Sequence, residues 1–84
     1  MGFENERLAL RGRLAEAEAR LRQMALSIDG DVAAVREMLP PFVAIEELRA
    51  DQAAVLAVEL AGKHVEYLGL RAEIAAMRKA LGLS

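Results

Sequence analysis

Two adjacent prolines, Pro40 and Pro41, lie at the middle of the chain between two long segments with helical periodicity. Proline has no amide hydrogen to donate and disfavours helical torsions in the residue before it, so we expect the first helix to end near Met38. A second helix can begin with Pro41 as its first residue, where the missing donor has no consequence. Because short connections favour antiparallel neighbours, the prolines predict a hinge between two antiparallel helices.

The first half of the chain carries a heptad repeat of apolar residues, which predicts a helix over about residues 3–38 with a coiled-coil-like seam. Two positions of this seam are polar, Arg7 and Asp31. Gly30 could end the helix as a left-handed cap. Since the seam keeps its phase across residues 29–31, a kink or local distortion is preferred there to a clean break. The residues at one seam position are Leu14, Leu21, Ile28 and Val35.

The second half predicts a helix over about residues 41–81, with acidic residues early, basic residues late and Gly82 placed as a C-terminal cap. Two apolar stripes, interpreted as neighbours, run along this helix. Together they form a face wider than one partner helix can cover, and they predict further association. The predicted interface comprises Leu48, Val55, Leu56, Val58, Leu60, Val65, Tyr67, Leu68, Leu70, Ile74 and Met77.

Gly62 and Gly69 lie seven residues apart within this second helical pattern. Each costs about 1 kcal/mol relative to alanine in a helix interior, so their presence needs a reason. One interpretation is a close helix–helix contact at which a side chain would clash. The other is a hinge at residues 61–63 that divides the segment into two helices. A continuous helix is preferred, because the stripe from Leu60 to Tyr67 holds its phase.

Composition limits the core that such a hairpin can build. Hydrophobic residues make up 55% of the 84 residues, but aromatic residues only 4%, and many of the apolar residues are alanines. A compact domain of this size is already marginal, and an elongated hairpin buries less surface. The sequence therefore predicts an all-α fold, a long antiparallel helical hairpin hinged at Pro40-Pro41 that associates into a four-helix bundle.

Groups for catalysis or metal binding are sparse. His64 is the only histidine, position 61 is alanine where a helical Glu-x-x-His site needs glutamate, and there is no cysteine. Asp29 and Asp31 lack the further oxygen ligands of a calcium loop, and Ser27 has no nucleophile-elbow context. We therefore expect no enzymatic activity, no catalytic residue, no cofactor and no metal.

Charge and hydropathy bear on partners and location. The net charge is −2, and Arg7, Arg11 and Arg13 form only a modest basic cluster, so no nucleic-acid partner is expected. No uncharged segment approaches the length of a membrane-spanning helix, and neither a signal peptide nor a disulfide framework is evident. We therefore expect no membrane partner and a cytoplasmic location.

The alanine-, arginine- and leucine-rich helical pattern, which closes with residues 71–83, resembles that of small accessory proteins encoded in Mu-like prophages and related bacterial mobile elements. The resemblance covers the whole chain and assigns no functional residue. It implies a helical protein with a structural or accessory role.

Three functions follow as expectations. The first is a structural or assembly accessory protein that forms a homo-oligomer through helix–helix contacts. The second is a chaperone or adaptor whose wide apolar face receives an amphipathic helix of another protein. The third, less favoured, is a DNA-binding regulator that uses the Arg7–Arg13 end.

Overall fold

Two long helices and an irregular connection make up the fold. The computed structural model describes residues 2–83. Helix α1 spans Gly2–Met38, helix α2 spans Ala50–Ala80, and a single 3-10 turn, Ile45–Glu47, lies between them. Residues 2–83 contain no strand. The prediction of an all-α helical hairpin is confirmed.

The two helices run antiparallel along almost their whole length. At one end, Arg7 Nη2 donates a hydrogen bond of 3.3 Å to the carbonyl oxygen of Leu81. At the other, Arg49 Nη2 lies 3.5 Å from the carbonyl oxygen of Glu37. The molecule measures 68 × 17 × 15 Å, and its radius of gyration is 18.9 Å. A compact domain of this length would have a radius of gyration of about 12 Å, so the hairpin is a rod.

The second helix begins at Ala50, not near residue 41 as the proline hinge predicts. The antiparallel register places Arg49 beside Glu37, at the end of α1. A helix begun at Pro41 would extend past α1 with nothing to pack against, and short unsupported helices are unstable in water. The chain instead has a positive φ of 65° at Phe42 and extended torsions at Ala44 and Leu48.

Both helices are continuous at their glycines. Helix α1 passes through Asp29-Gly30-Asp31 without interruption, so the clean break considered there is wrong, and α2 passes through Gly62 as preferred. A Cβ atom added at Gly62 or Gly69 would meet nothing within 4 Å. The close contact considered for these glycines is therefore absent within the hairpin, where both point to solvent.

The hydrophobic core is thin and lies toward the open end of the hairpin. Leu14 of α1 packs with Leu70, Ile74 and Leu81, and no side chain in the described chain is less than 2% exposed. The predicted cap at Gly82 is confirmed. Its φ is +73°, and the amide of Leu83 donates to the carbonyl of Arg78 at 2.8 Å, which is the Schellman arrangement. The partly buried residues around the core are Leu10, Ala17, Leu21, Met24 and Met77.

The shorter of two ion pairs between the helices lies within the seam. Lys63 Nζ lies 3.0 Å from Asp31 Oδ2 and donates a 2.8 Å hydrogen bond to Ser27 Oγ. The Asp31 oxygen is buried and accepts no well-aligned hydrogen bond, so the Lys63 ammonium is the group that balances its charge. Both residues occupy positions that are otherwise apolar. Such a pair fixes the register of two helices at some expense of stability.

We expect Lys63→Met to lower the free energy of unfolding by about 1–2 kcal/mol, because it leaves the Asp31 carboxylate unpaired at a partly exposed site. The double variant Asp31→Leu/Lys63→Met should recover that loss, since apolar side chains of similar size suit the seam. Urea denaturation at one fixed protein concentration measures both effects. Equal destabilisation by the single and double variants would contradict the pairing.

Candidate interaction surface

Helix α2 is apolar on its far side as well as on the side that faces α1. If α2 is written in heptads with its contacts to α1 at a and d, then Leu60 is an a position and Leu70 a d position. The b, c and f positions point away from α1, where charged residues usually lie. Between Ala54 and Ala76 none of these positions is charged. We call this set the outer face: Ala54, Val55, Val58, Ala61, Gly62, Val65, Leu68, Gly69, Ala72, Ala75 and Ala76.

The outer face is open to solvent. Val55 is 73% exposed, Val58 75% and Val65 70%, which is high for β-branched apolar side chains. It runs for about 33 Å at 1.5 Å per residue. Contiguous exposed apolar surface of this extent typically marks an interaction site.

The corresponding side of α1 is an ordinary solvated surface. Its b, c and f positions include Glu16, Arg22, Asp29, Arg36 and Glu37, all exposed. Phe3, Leu8 and Leu26 are exposed on α1 as well, but charged residues separate them, so the unbroken apolar face belongs to α2. The hairpin has one helix with a normal polar exterior and one helix without.

Charged residues on α2 form two rows that separate its inner and outer faces. The g positions carry Glu59, Glu66 and Glu73, and the e positions carry His64, Arg71 and Arg78. Arg78 Nη1 lies 3.8 Å from Glu18 Oε1 of α1, so part of the e row pairs across the hairpin. The glutamates border the edge of the outer face formed by its c positions, and the e row borders the opposite edge, which is formed by its uncharged b positions.

The predicted interface residues divide between the two faces of α2. The second apolar stripe was interpreted as a neighbour of the first. Val55, Val58 and Val65 are instead strongly exposed on the side away from α1, and Leu68 is half exposed beside them. Leu48 lies in the connection and is exposed. The other six belong to the seam with α1, either buried (Leu70, Ile74) or partly buried (Leu56, Leu60, Tyr67, Met77).

The accessible area shows how much surface the hairpin leaves uncovered. It is 6533 Å². A compact monomer of 9.1 kDa exposes about 4,900 Å², so this chain exposes about one third more. A standard protein–protein interface takes about 800 Å² from each partner. The surplus is therefore large enough to supply such an interface.

A second apolar patch lies in the connection. Only Leu48 of this patch is among the predicted interface residues, and the helix predicted from about residue 41 includes Phe42 and Ile45. Phe42 is fully exposed, Ile45 is 85% exposed, and Leu39 and Leu48 are also exposed. Pro41 and Phe42 form a tight turn, and the positive φ of Phe42 resembles the second corner of a type II turn, where glycine or asparagine is preferred. We call Leu39, Phe42, Ile45 and Leu48 the turn patch.

We expect Phe42→Asn to stabilise the isolated hairpin by about 0.5–1 kcal/mol. Asparagine tolerates the left-handed conformation that a bulky residue resists, and the exposed ring loses no packing when it is removed. Thermal or urea unfolding at a concentration where the chain is monomeric measures the change. A destabilised variant would show that Phe42 makes a contact within the hairpin.

Ser27, Lys63 and Arg7 make structural contacts. Ser27 and Lys63 are neighbours, but the Lys63 ammonium is ion-paired with Asp31 and donates to the hydroxyl, so the arrangement is a seam contact. Arg7, from the N-terminal basic cluster, caps the carbonyl end of α2. Within residues 2–83, no group of three or more histidine, cysteine, aspartate or glutamate residues is arranged to hold a metal ion.

His64 lines an open groove between the helices. The groove is apolar apart from His64, which is exposed at its edge. It lies on the e side of the hairpin, beside the b positions of the outer face. The other residues that line it are Ile28, Val32, Ala57, Leu60 and Ala61.

Neither helix described here is long and apolar enough to span a lipid bilayer. Comparison of the chain with protein-family models, curated proteins and solved structures finds no match.

Proposed function

We propose that this chain is a non-enzymatic assembly protein that acts by helix–helix self-association through the outer face of α2. The occupant of that face is a second copy of the chain. The outer face lies on the side of α2 opposite α1. When two copies join through it, the two α2 helices lie at the centre of the four-helix assembly and the two α1 helices lie on the outside.

The observation that carries this proposal is the absence of charge at every outward position of α2 between Ala54 and Ala76. Hydrophobic burial is the main driving force for association. These positions can be buried without removing any charged side chain from water. The glycines Gly62 and Gly69 lie within the face and have open space above them, which lets a second helix approach closely. The surplus area of one chain exceeds the roughly 800 Å² that a standard interface takes from each partner.

Sedimentation equilibrium over a series of concentrations, with helicity followed by circular dichroism, tests the proposal. We expect a reversible dimer or a higher oligomer whose helicity and thermal stability rise with concentration. A chain that remains a folded monomer at the highest concentrations would overturn it.

The adaptor alternative has its own supporting observation. The open groove beside Ala57 and Ala61 is continuous with the outer face and could receive one amphipathic helix of another protein. This alternative requires a well-folded monomer with bare apolar surface. The sedimentation experiment separates the two, because self-association is required by the first function only.

A further inference from the structure

We propose that two copies of the chain associate in parallel, with their outer faces in contact and their two turn patches at the same end of the assembly. This inference rests on the proposed function and adds the orientation of the copies. Two independent observations carry it: the position of the glutamate row on α2 and the exposed turn patch.

The glutamate row disfavours the antiparallel arrangement. In a two-fold antiparallel helix pair, each flank of the interface faces the same flank of the second copy, as g faces g in antiparallel coiled coils. Full overlap of two outer faces, which extend from Ala54 to Ala76, centres the pair near residue 65. Glu66 then faces Glu66 of the second copy, and Glu59 faces its Glu73. Each like-charge pair weakens association by about twofold, so the three pairs weaken it by about tenfold.

The parallel arrangement removes this repulsion. A two-fold axis along the helices brings each flank opposite the other flank of the second copy. The glutamate row then faces the uncharged b row, which includes Ala61 and Leu68. Beyond that row lie Arg71 and Arg78, whose positive charges attract the glutamates. The charge pattern of α2 is thus compatible with a parallel contact along the full outer face.

The turn patch independently favours the same orientation. Phe42 and Ile45 are exposed in the connection that precedes α2, at the end of the hairpin where the outer face begins. A parallel pair places both patches at one end, where each covers the other. An antiparallel pair leaves them bare at opposite ends of the assembly. Backbone strain at Phe42 supports a binding role, because strained residues are retained where they serve a contact.

Charges near the turn patch do not outweigh these effects. The segment from Arg36 to Asp51 has a net charge of −2, with two arginines against four acidic residues. These side chains are solvent-exposed, and exposed charges are screened over about 8 Å at physiological ionic strength. Glu59, Glu66 and Glu73 are exposed as well, but they border the outer face itself, whereas the charges of the connection lie beyond its end.

Single cysteines test the orientation, because the natural chain has none. Val55→Cys and Ala76→Cys lie at equivalent c positions near the two ends of the outer face, and both are exposed, so neither should disturb folding. Each variant alone, and an equal mixture of both, is equilibrated in a glutathione redox buffer and analysed for disulfide-linked dimers. A disulfide requires Cα atoms about 4.4–6.8 Å apart, whereas residues 55 and 76 are about 30 Å apart along a helix.

We expect each single variant to cross-link with itself, and the mixture to give no dimer that links residue 55 to residue 76. Cross-linking only between residues 55 and 76 would overturn the parallel orientation while self-association stands. A dimer by sedimentation with no cross-link in any sample would overturn the use of the outer face. A monomer by sedimentation would overturn the proposed function itself.

Phe42→Asn gives a second measurement that does not depend on thiol chemistry. In the parallel assembly, loss of the ring from both turn patches should weaken dimerisation by about tenfold or more. In an antiparallel assembly the same change should leave the dissociation constant unaltered. Unchanged association of this variant would contradict the proposed contact between turn patches.

Discussion

Replacement of Val65 by aspartate is expected to raise the dissociation constant of the assembly by at least about 100-fold and to leave the hairpin folded. Val65 lies at the middle of the outer face and is 70% exposed in the hairpin, so the aspartate remains solvated in the monomer. In the assembly it would bury two like charges near the two-fold axis. An unpaired buried charge costs several kcal/mol, and about 2.7 kcal/mol already corresponds to a factor of 100.

Leu26→Asp is the matched control for Val65→Asp. Leu26 is also strongly exposed on the outward side of its helix, but it lies on α1, whose surroundings are charged. Both substitutions introduce the same carboxylate at a solvent-facing helical position, so their effects on helix propensity should be similar. Sedimentation and circular dichroism of the two variants are compared at equal concentrations. If both dissociate, or neither does, the outer face of α2 is not the site of association.

The sequence was sufficient to predict the helical hairpin because the information for each helix is local. The heptad seam of α1 continues through Gly30 without a change of phase, and the observed helix does the same. The C-terminal cap was recognisable from Gly82 alone, since only glycine adopts its positive φ without strain. Features that depend on a single helix or a single turn could therefore be predicted from the sequence.

Features that depend on the register between the helices could not be predicted from the sequence. Asp31 is recognisable in the sequence as a polar residue in an apolar seam, but its pairing with Lys63 depends on how far one helix is shifted along the other. The residue at which α2 begins also depends on this register. Glu46 and Glu47 resemble the first turn of a helix in sequence, yet they lie beyond the end of α1, where a helix would have no support.

The outer face could be predicted only in part from the sequence. Val55, Val58 and Val65 were correctly grouped as a second stripe, and their spacing at 3.6 residues per turn fixes their angle on the helix. Their separation from Leu60 and Tyr67 places them on the far side of α2 once α1 covers the first stripe. In the structure the two stripes do not form a single wide face, because α1 covers the first stripe and the second is bare.

The pair Leu70→Ala and Leu68→Ala tests this two-sided organisation directly. The two leucines are neighbours on one helix, but Leu70 is buried against α1 and Leu68 is half exposed on the outer face. Leu70→Ala should lower the free energy of unfolding of the hairpin by about 2–4 kcal/mol, as for other buried leucines that leave a cavity. For a chain of this length that is a large fraction of a total stability of about 4–13 kcal/mol.

Leu68→Ala should change the stability of the monomeric hairpin by less than about 0.5 kcal/mol, because its side chain is only half covered there. It should instead weaken association several-fold, since it removes apolar area from the outer face. Urea denaturation at low concentration, followed by sedimentation at high concentration, separates the two quantities for each variant. Leu70→Ala should therefore lower the free energy of unfolding of the monomer, whereas the main effect of Leu68→Ala should appear in the dissociation constant of the assembly. Equal effects of both variants on the monomer would mean that α2 is covered on both sides within a single chain, which is incompatible with an outer face reserved for a second copy.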